Sequence, residues 1–228
     1  MTIEWSCPPE WLYNAWFKIQ KTDVRSQLTV SGNELRVTAL PKGGAGMRIS
    51  KFRIESTGSV TFEVSDGLRC FIKKCLAFQI IHFRVQNEEL VLSVDSHGLG
   101  IQYKFPKIKI VEENVIPPHD GDQHQSISTK DWISMWPTCP PKGSVTLVLS
   151  KQTKIMTLKH SGGRWGAAIT MKNKPNRDQT IQIDSGVAKS VFINDWPDGR
   201  PWATIVFMHV GVLQWFTPDV TIYVAPIE

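Results

Sequence analysis

The sequence predicts an α+β protein made of two similar domains, each an assembly of antiparallel strands carrying two short helices. Three observations predict it. Short stretches rich in valine, isoleucine, threonine and aromatics alternate apolar with polar residues, and Gly, Asn, Asp or Pro separate them, as half-buried strands require. Helical stretches are few and short, with apolar residues at the i, i+3, i+4, i+7 spacing that makes one buried face. Finally, the order of these elements repeats at an offset close to half of the 228 residues, which reads as an internal duplication.

Taken in order, Pro8-Pro9 opens the first helix, where Leu12, Ala15, Trp16 and Ile19 form the apolar stripe and Asn14, Lys18 and Lys21 lie opposite. Strands follow at SQLTVSG, LRVTALP, MRISKFRIE and SVTFEVS. The last of these turns at Asp66-Gly67 into a second helix, with Leu68, Phe71, Ile72 and Cys75 inward and Arg69, Lys73 and Lys74 outside the stripe. FQIIHFRVQ, ELVLSVDS and IQYKFPKIKIV complete the first half, with Asn87-Glu88 as a tight hairpin corner. In the second half, Ser128 or Thr129 caps KDWISMW, which Pro137 ends. The strands SVTLVLS, KIMTLKH, GAAITMK and QTIQID lead to a helix over Gly186 to Asn194 that carries Lys189, and ATIVFMHV, VLQWF and VTIYVAP close the chain.

The glycine clusters KGGAGMR and SGGRWG fall at matching places after the second strand of each half, so a shared turn explains them. The first lacks the spacing of glycine, lysine and hydroxyl that a phosphate-cradling loop needs. The polar, proline-containing stretch VEENVIPPHDGDQHQS is unlike the strands beside it and reads as a linker. The expected division is therefore a first domain at 1–112, a connector at 113–126 and a second domain at 127–228.

With 41% hydrophobic residues the chain has material for a core. Its longest apolar runs, Leu76 to Phe83 and Trp202 to Leu213, are interrupted and too short for a membrane span. MTIEWSCPPEW has neither a basic opening nor an apolar signal core, so secretion is not expected. Cys7, Cys70, Cys75 and Cys139 show no CxxC pair and read as reduced thiols. The net charge of +5 is modest, and its placement on helix faces matters more than its size.

His119, Asp120, Asp122 and His124 bring imidazoles and carboxylates together in PPHDGDQH, but within a Pro/Gly/Gln linker they are expected to face water, so no metal site is assigned. His82, His97, His160 and His209 stand singly, without a triad spacing. No catalytic constellation and no cofactor motif is found, and a non-enzymatic protein is expected.

A duplicated domain of antiparallel strands with two short basic helices per repeat resembles the DNA sliding clamps, the family of proliferating cell nuclear antigen and its phage and checkpoint relatives. The closing VTIYVAPIE is similar to the family's last strand with its Ala-Pro-Lys-Ile ending, one lysine shorter here. FEVSDGLRCFIKKCLAFQIIHFRVQNEELVLSVDSHGLGIQYKFP is similar to the clamp run of strand, helix and hairpin. The resemblance implies a homotrimeric ring with sheets outside and helices lining a hole for duplex DNA, acting as a DNA polymerase processivity factor at sites of replication inside the cell. Lys18, Lys21, Arg69, Lys73, Lys74, Lys130 and Lys189 would then meet DNA phosphates without reading sequence. It also implies a groove for a partner's peptide, formed by Leu40, Met47, Val115, Ile116, Pro117, Ala225, Pro226 and Ile227, through which polymerase and other DNA enzymes dock.

Two departures stand out. The second-half helices carry fewer cations than the first, and nine tryptophans are more than the family leads one to expect. The alternatives are a subunit of a heterotrimeric checkpoint-type clamp and, from another class, a viral β-sandwich capsid protein. The N-terminus lacks the Arg-rich arm that the latter would use for packaging.

Overall fold

The computed structural model describes residues 2–17, 25–40, 45–96, 99–113, 119–192 and 201–227. The chain divides into two units, Met1–Lys42 with Ile49–Val115, and Gly43–Arg48 with Ile116–Glu228.

The first unit runs β1 (Thr2–Cys7), α1 (Pro9–Phe17), β2 (Arg25–Ser31), β3 (Glu34–Leu40), β4 (Gly46–Arg53), β5 (Val60–Glu63), α2 (Asp66–Lys74), β6 (Ile81–Gln86), β7 (Glu89–Ser96) and β8 (Leu99–Phe105). Its strands lie in the orders β1-β6-β7-β8 and β5-β2-β3-β4. Alternation sets which side is buried: Ile3, Trp5 and Cys7 of β1 face inward, and so do Ile81, Phe83 and Val85 of antiparallel β6. The β6–β7 corner places Asn87 at φ 51° and Glu88 at φ 61°, the left-handed pair of a two-residue hairpin whose twist suits the strands. One core takes in both sets of strands and both helices. Trp5 stacks on Phe83 at 4.9 Å between ring centroids, while Leu12 and Trp16 of α1 and Leu68 and Ile72 of α2 are buried with Phe62.

The second unit repeats that order element for element: β9 (Gln123–Ser128), α3 (Thr129–Met135), β10 (Ser144–Leu149), β11 (Ile155–His160), β12 (Gly166–Thr170), β13 (Gln179–Asp184), α4 (Ser185–Phe192), β14 (Trp202–Phe207), β15 (Leu213–Phe216) and β16 (Val220–Val224). A 3-10 turn, Trp136–Thr138, follows α3 as Cys75–Ala77 follows α2. The strand orders correspond as well, β9-β14-β15-β16 matching β1-β6-β7-β8 and β13-β10-β11-β12 matching β5-β2-β3-β4. The tryptophans find their use here. Trp132, Trp136 and Phe192 form one aromatic nest, Trp136 stacking on Phe192 at 5.0 Å, with Trp215 at its edge.

Three features differ from the sequence expectation. Strand β1 precedes the first helix, its Ile3, Trp5 and Cys7 alternation lying in a stretch expected only as a lead-in. Strand β9 occupies residues 123–128, most of it inside the expected connector; Gln123 and Gln125 are buried at inward positions, so the strand shows no apolar alternation. Residues 43–48, expected with the first domain, belong to the second unit. There Ala45 accepts the Ala225 N–H at 2.8 Å, and a Cβ on Gly46 would fall 2.9 Å from Val187 and 3.2 Å from Val191 of α4. Only glycine allows that approach. Among the described residues no helix is long and apolar enough to cross a membrane.

Candidate nucleic-acid interface

The cationic surface of the first unit is built on α2. Val64, at the end of β5, donates its N–H to Ser26 at 2.8 Å, which fixes the strand where the helix begins. Ser65 caps the helix by accepting the Leu68 N–H on Oγ at 3.2 Å. Leu68 and Ile72 are fully buried, each worth about 1.5–3 kcal/mol. Phe71 packs half-buried against Tyr103 at 5.0 Å and Phe105 at 6.3 Å. With that face turned inward, Arg69, Lys73 and Lys74 take the other. Lys73 and Lys74 are exposed, and neither pairs with an acid among the described residues, whereas half-buried Arg69 pairs with Asp66 one turn back. Asp66 in the first turn and two lysines in the last suit the helix dipole, so the helix gains from the same charges that make its surface cationic.

The other assigned cations differ in their surroundings. Lys18 and Lys21 lie outside the described residues. Lys130 is exposed near the start of α3, where Ser128 accepts the Asp131 N–H on Oγ at 3.3 Å. Lys189 is half-buried, and its ammonium donates to the carbonyls of Pro137 at 2.9 Å and Cys139 at 3.0 Å. It thereby satisfies carbonyls left over where the α3 segment ends. Burial pushes the Cys139 thiol up to about 11 although the nearby Lys189 charge works against it.

Of the residues assigned to a peptide groove, Val115, Ile116 and Pro117 lie outside the described residues. Leu40 ends β3 and is half-buried in the first unit. Met47, half-buried, belongs to the second unit, as do Ala225, Pro226 and exposed Ile227. The tail is ordered by pairing: the Ile227 N–H donates to Gln182 at 2.9 Å and Pro226 bridges Ile183. Glu113 is held by an ion pair from Arg36, whose Nη1 donates to both carboxylate oxygens, at 2.7 and 2.8 Å.

Two histidines expected to stand alone meet the side chains of other residues. His82 meets Ser6 across β1 and β6, Nδ1 to Oγ 2.7 Å, beside a surface cleft of about 570 Å³. No carboxylate bonds the other ring nitrogen among the described residues, so the pair lacks the third member of a triad. His209 joins His119 and Asp122, and here the expectation that the linker acids face water fails for Asp122, whose side chain is 1% exposed. Burial alone would raise its carboxyl. The His209 N–H and ring and the His119 N–H outweigh that and hold it at about 2. Proximity in space rather than in sequence makes this cluster, and only the strand order that brings the β14–β15 turn to the start of β9 reveals it.

Comparison with known proteins is one-sided. No protein-family profile matches the sequence, and no curated protein matches it. Solved structures do. The DNA polymerase III beta subunit from Thermotoga maritima superimposes with a TM-score of 0.70 at 14% identity, over 99% of this chain and 65% of that one. The chain thus spans just under two thirds of the length of that relative, and the likeness covers both repeats. The fold of this chain is that of the sliding clamps.

Proposed function

We propose that the protein is a DNA polymerase processivity factor, a non-enzymatic clamp that encircles duplex DNA inside the cell and tethers a polymerase to it. The observation that carries this reading is the sliding-clamp fold extending over 99% of the chain. The composition of α2 supports it, because a clamp that must hold DNA and still slide needs cations on a rigid element that contact phosphate without reading bases. Lys73 and Lys74 are placed that way, with Lys130 in the second unit as a weaker counterpart. Lys189, already bound to two carbonyls, contributes less.

A ring needs copies that join. Strand β8 ends one four-strand order of the first unit and β12 ends one of the second. On β8, Ile101 and Tyr103 are about half exposed, at 48% and 49%. An unpaired edge with apolar side chains invites antiparallel addition of another strand, and β8 of one copy adding to β12 of the next would close a homotrimer. The exposed tail at Ile227 and the connector are the proposed docking place for partner peptides.

The test is retention. Loaded on a closed circular duplex, the protein should stay through gel filtration and be lost when the circle is cut once. Equal loss from intact and cut circles would remove the encirclement. Mass in solution should be three times that of the monomer, and a stable monomer would replace the homotrimer with an obligate heteromer.

A further inference from the structure

The second unit gathers three potential metal ligands from two distant segments. Asp122 accepts the His209 N–H at 2.8 Å and its ring Nδ1 at 3.0 Å on one oxygen, and the His119 N–H at 3.0 Å on the other. The two imidazoles stack with centroids 3.9 Å apart. One ligand atom from each of the three residues lies within 4.8 Å of the other two. Gly121 keeps them close, for a Cβ there would stand 3.1 Å from His119 Nδ1 and 3.4 Å from the His209 Cβ.

The donor set is selective. Two neutral imidazoles and one carboxylate suit zinc and its first-row neighbours, whereas calcium and magnesium take oxygen ligands. Geometry favours capture as well. Zinc bonds of about 2.0–2.2 Å place tetrahedral ligand atoms roughly 3.4 Å apart, so closure from 4.8 Å takes side-chain adjustment and no backbone rearrangement. The main chains of both histidines are already pinned to the Asp122 carboxylate, which lowers the entropy cost of assembling the ligands. Both rings are exposed, so an ion reaches them directly from water.

We propose that His119, Asp122 and His209 form a binding site for one divalent transition ion of the zinc type, with water completing the coordination. Stacked rings cannot both aim a lone pair at one point. His119 therefore turns out of the stack and gives up the Gly121 N–H that its Nδ1 accepts at 2.9 Å, and His209 changes tautomer, its proton passing from Nδ1 to Nε2, so that the nitrogen beside Asp122 offers the ion a lone pair in place of the hydrogen bond. The ion acts as a clip that ties the segment entering β9 to the turn between β14 and β15. This assignment stands apart from the clamp reading, and either can fail without the other.

The experiment is calorimetric titration of the chelator-stripped full chain with zinc chloride, with cobalt(II) absorption as a spectroscopic readout. One ion per chain should bind, and cobalt should give the visible bands of a four-coordinate site. Loss of a supporting partner already costs about 10–100-fold in metal affinity, so His209→Ala and His119→Ala should each weaken binding at least tenfold. His124→Ala, exposed on β9 outside the cluster, should bind as the parent does. His119→Ala leaves the Asp122 backbone bonds in place and decides the matter if His209→Ala does not fold. Absence of one-to-one binding, or equal loss in His124→Ala, would overturn the assignment.

Discussion

The sharpest consequence of the α2 surface concerns its two exposed lysines. Replacing Lys73 and Lys74 together by glutamine removes two exposed charges and leaves the buried face of Leu68 and Ile72 untouched. With about 0.9 counterions released per phosphate neutralised, each lysine is worth about eightfold in affinity at 0.1 M salt relative to 1 M, and the pair about 60-fold. The slope of log affinity against log salt should fall by about 2. Helix stability suffers little, because the last-turn lysines contribute about 0.3–1 kcal/mol each through the dipole, a loss that urea unfolding would register. The assay is fluorescence anisotropy of a labelled duplex across a salt series, repeated with a scrambled sequence to confirm that the loss is uniform. An unchanged slope in a folded double variant would show that these lysines do not meet phosphates, and the orientation assigned to α2 would fall with it.

Other expectations can be checked more briefly. Lys189→Met should cost about 1–2 kcal/mol in urea unfolding, since two carbonyls lose a charged donor, while Lys130→Gln should leave stability unchanged and weaken DNA binding. Trp136→Ala should cost about 3–5 kcal/mol, because Phe192 and Trp132 lose the ring they pack on. A maleimide at neutral pH should label exposed Cys70 alone in the native protein; burial pushes Cys7 up to about 12 and Cys139 to about 11, leaving both protonated. Mass spectrometry after short labelling reads this directly. Asp122→Asn should destabilise the metal-free protein near neutral pH. The native carboxylate sits below its unfolded value, so its contribution is present above the ordinary carboxylate range and fades as pH falls toward about 2, where variant and parent should converge.

Much of this fold is written locally. Alternation placed fourteen of the described strands, and the Asp66-Gly67 turn with the stripe Leu68, Phe71, Ile72 and Cys75 placed α2 and its cationic face. Where inward positions are polar the signal vanishes, as at Gln123 and Gln125 of β9. Lys189 shows another limit, because its spacing on α4 is that of a solvent-facing lysine and nothing local announces the carbonyls of Pro137 and Cys139 some fifty residues away. The His119, Asp122 and His209 cluster joins residues 87 apart, which no window along the chain can relate.

The placement of residues 43–48 also bears on how such a duplicated chain can be divided. A polypeptide starting at Ile116 would contain every helix of the second repeat and still lack the strip that covers Val187 and Val191 and pairs with Ala225. It would present an uncovered strand margin and two bare valines to solvent, the features that promote self-association. Cutting at the connector therefore does not separate two complete halves. For this protein the minimal independent piece of the second repeat is discontinuous in sequence, and a soluble version of it would have to carry the 43–48 strip grafted onto one of its ends.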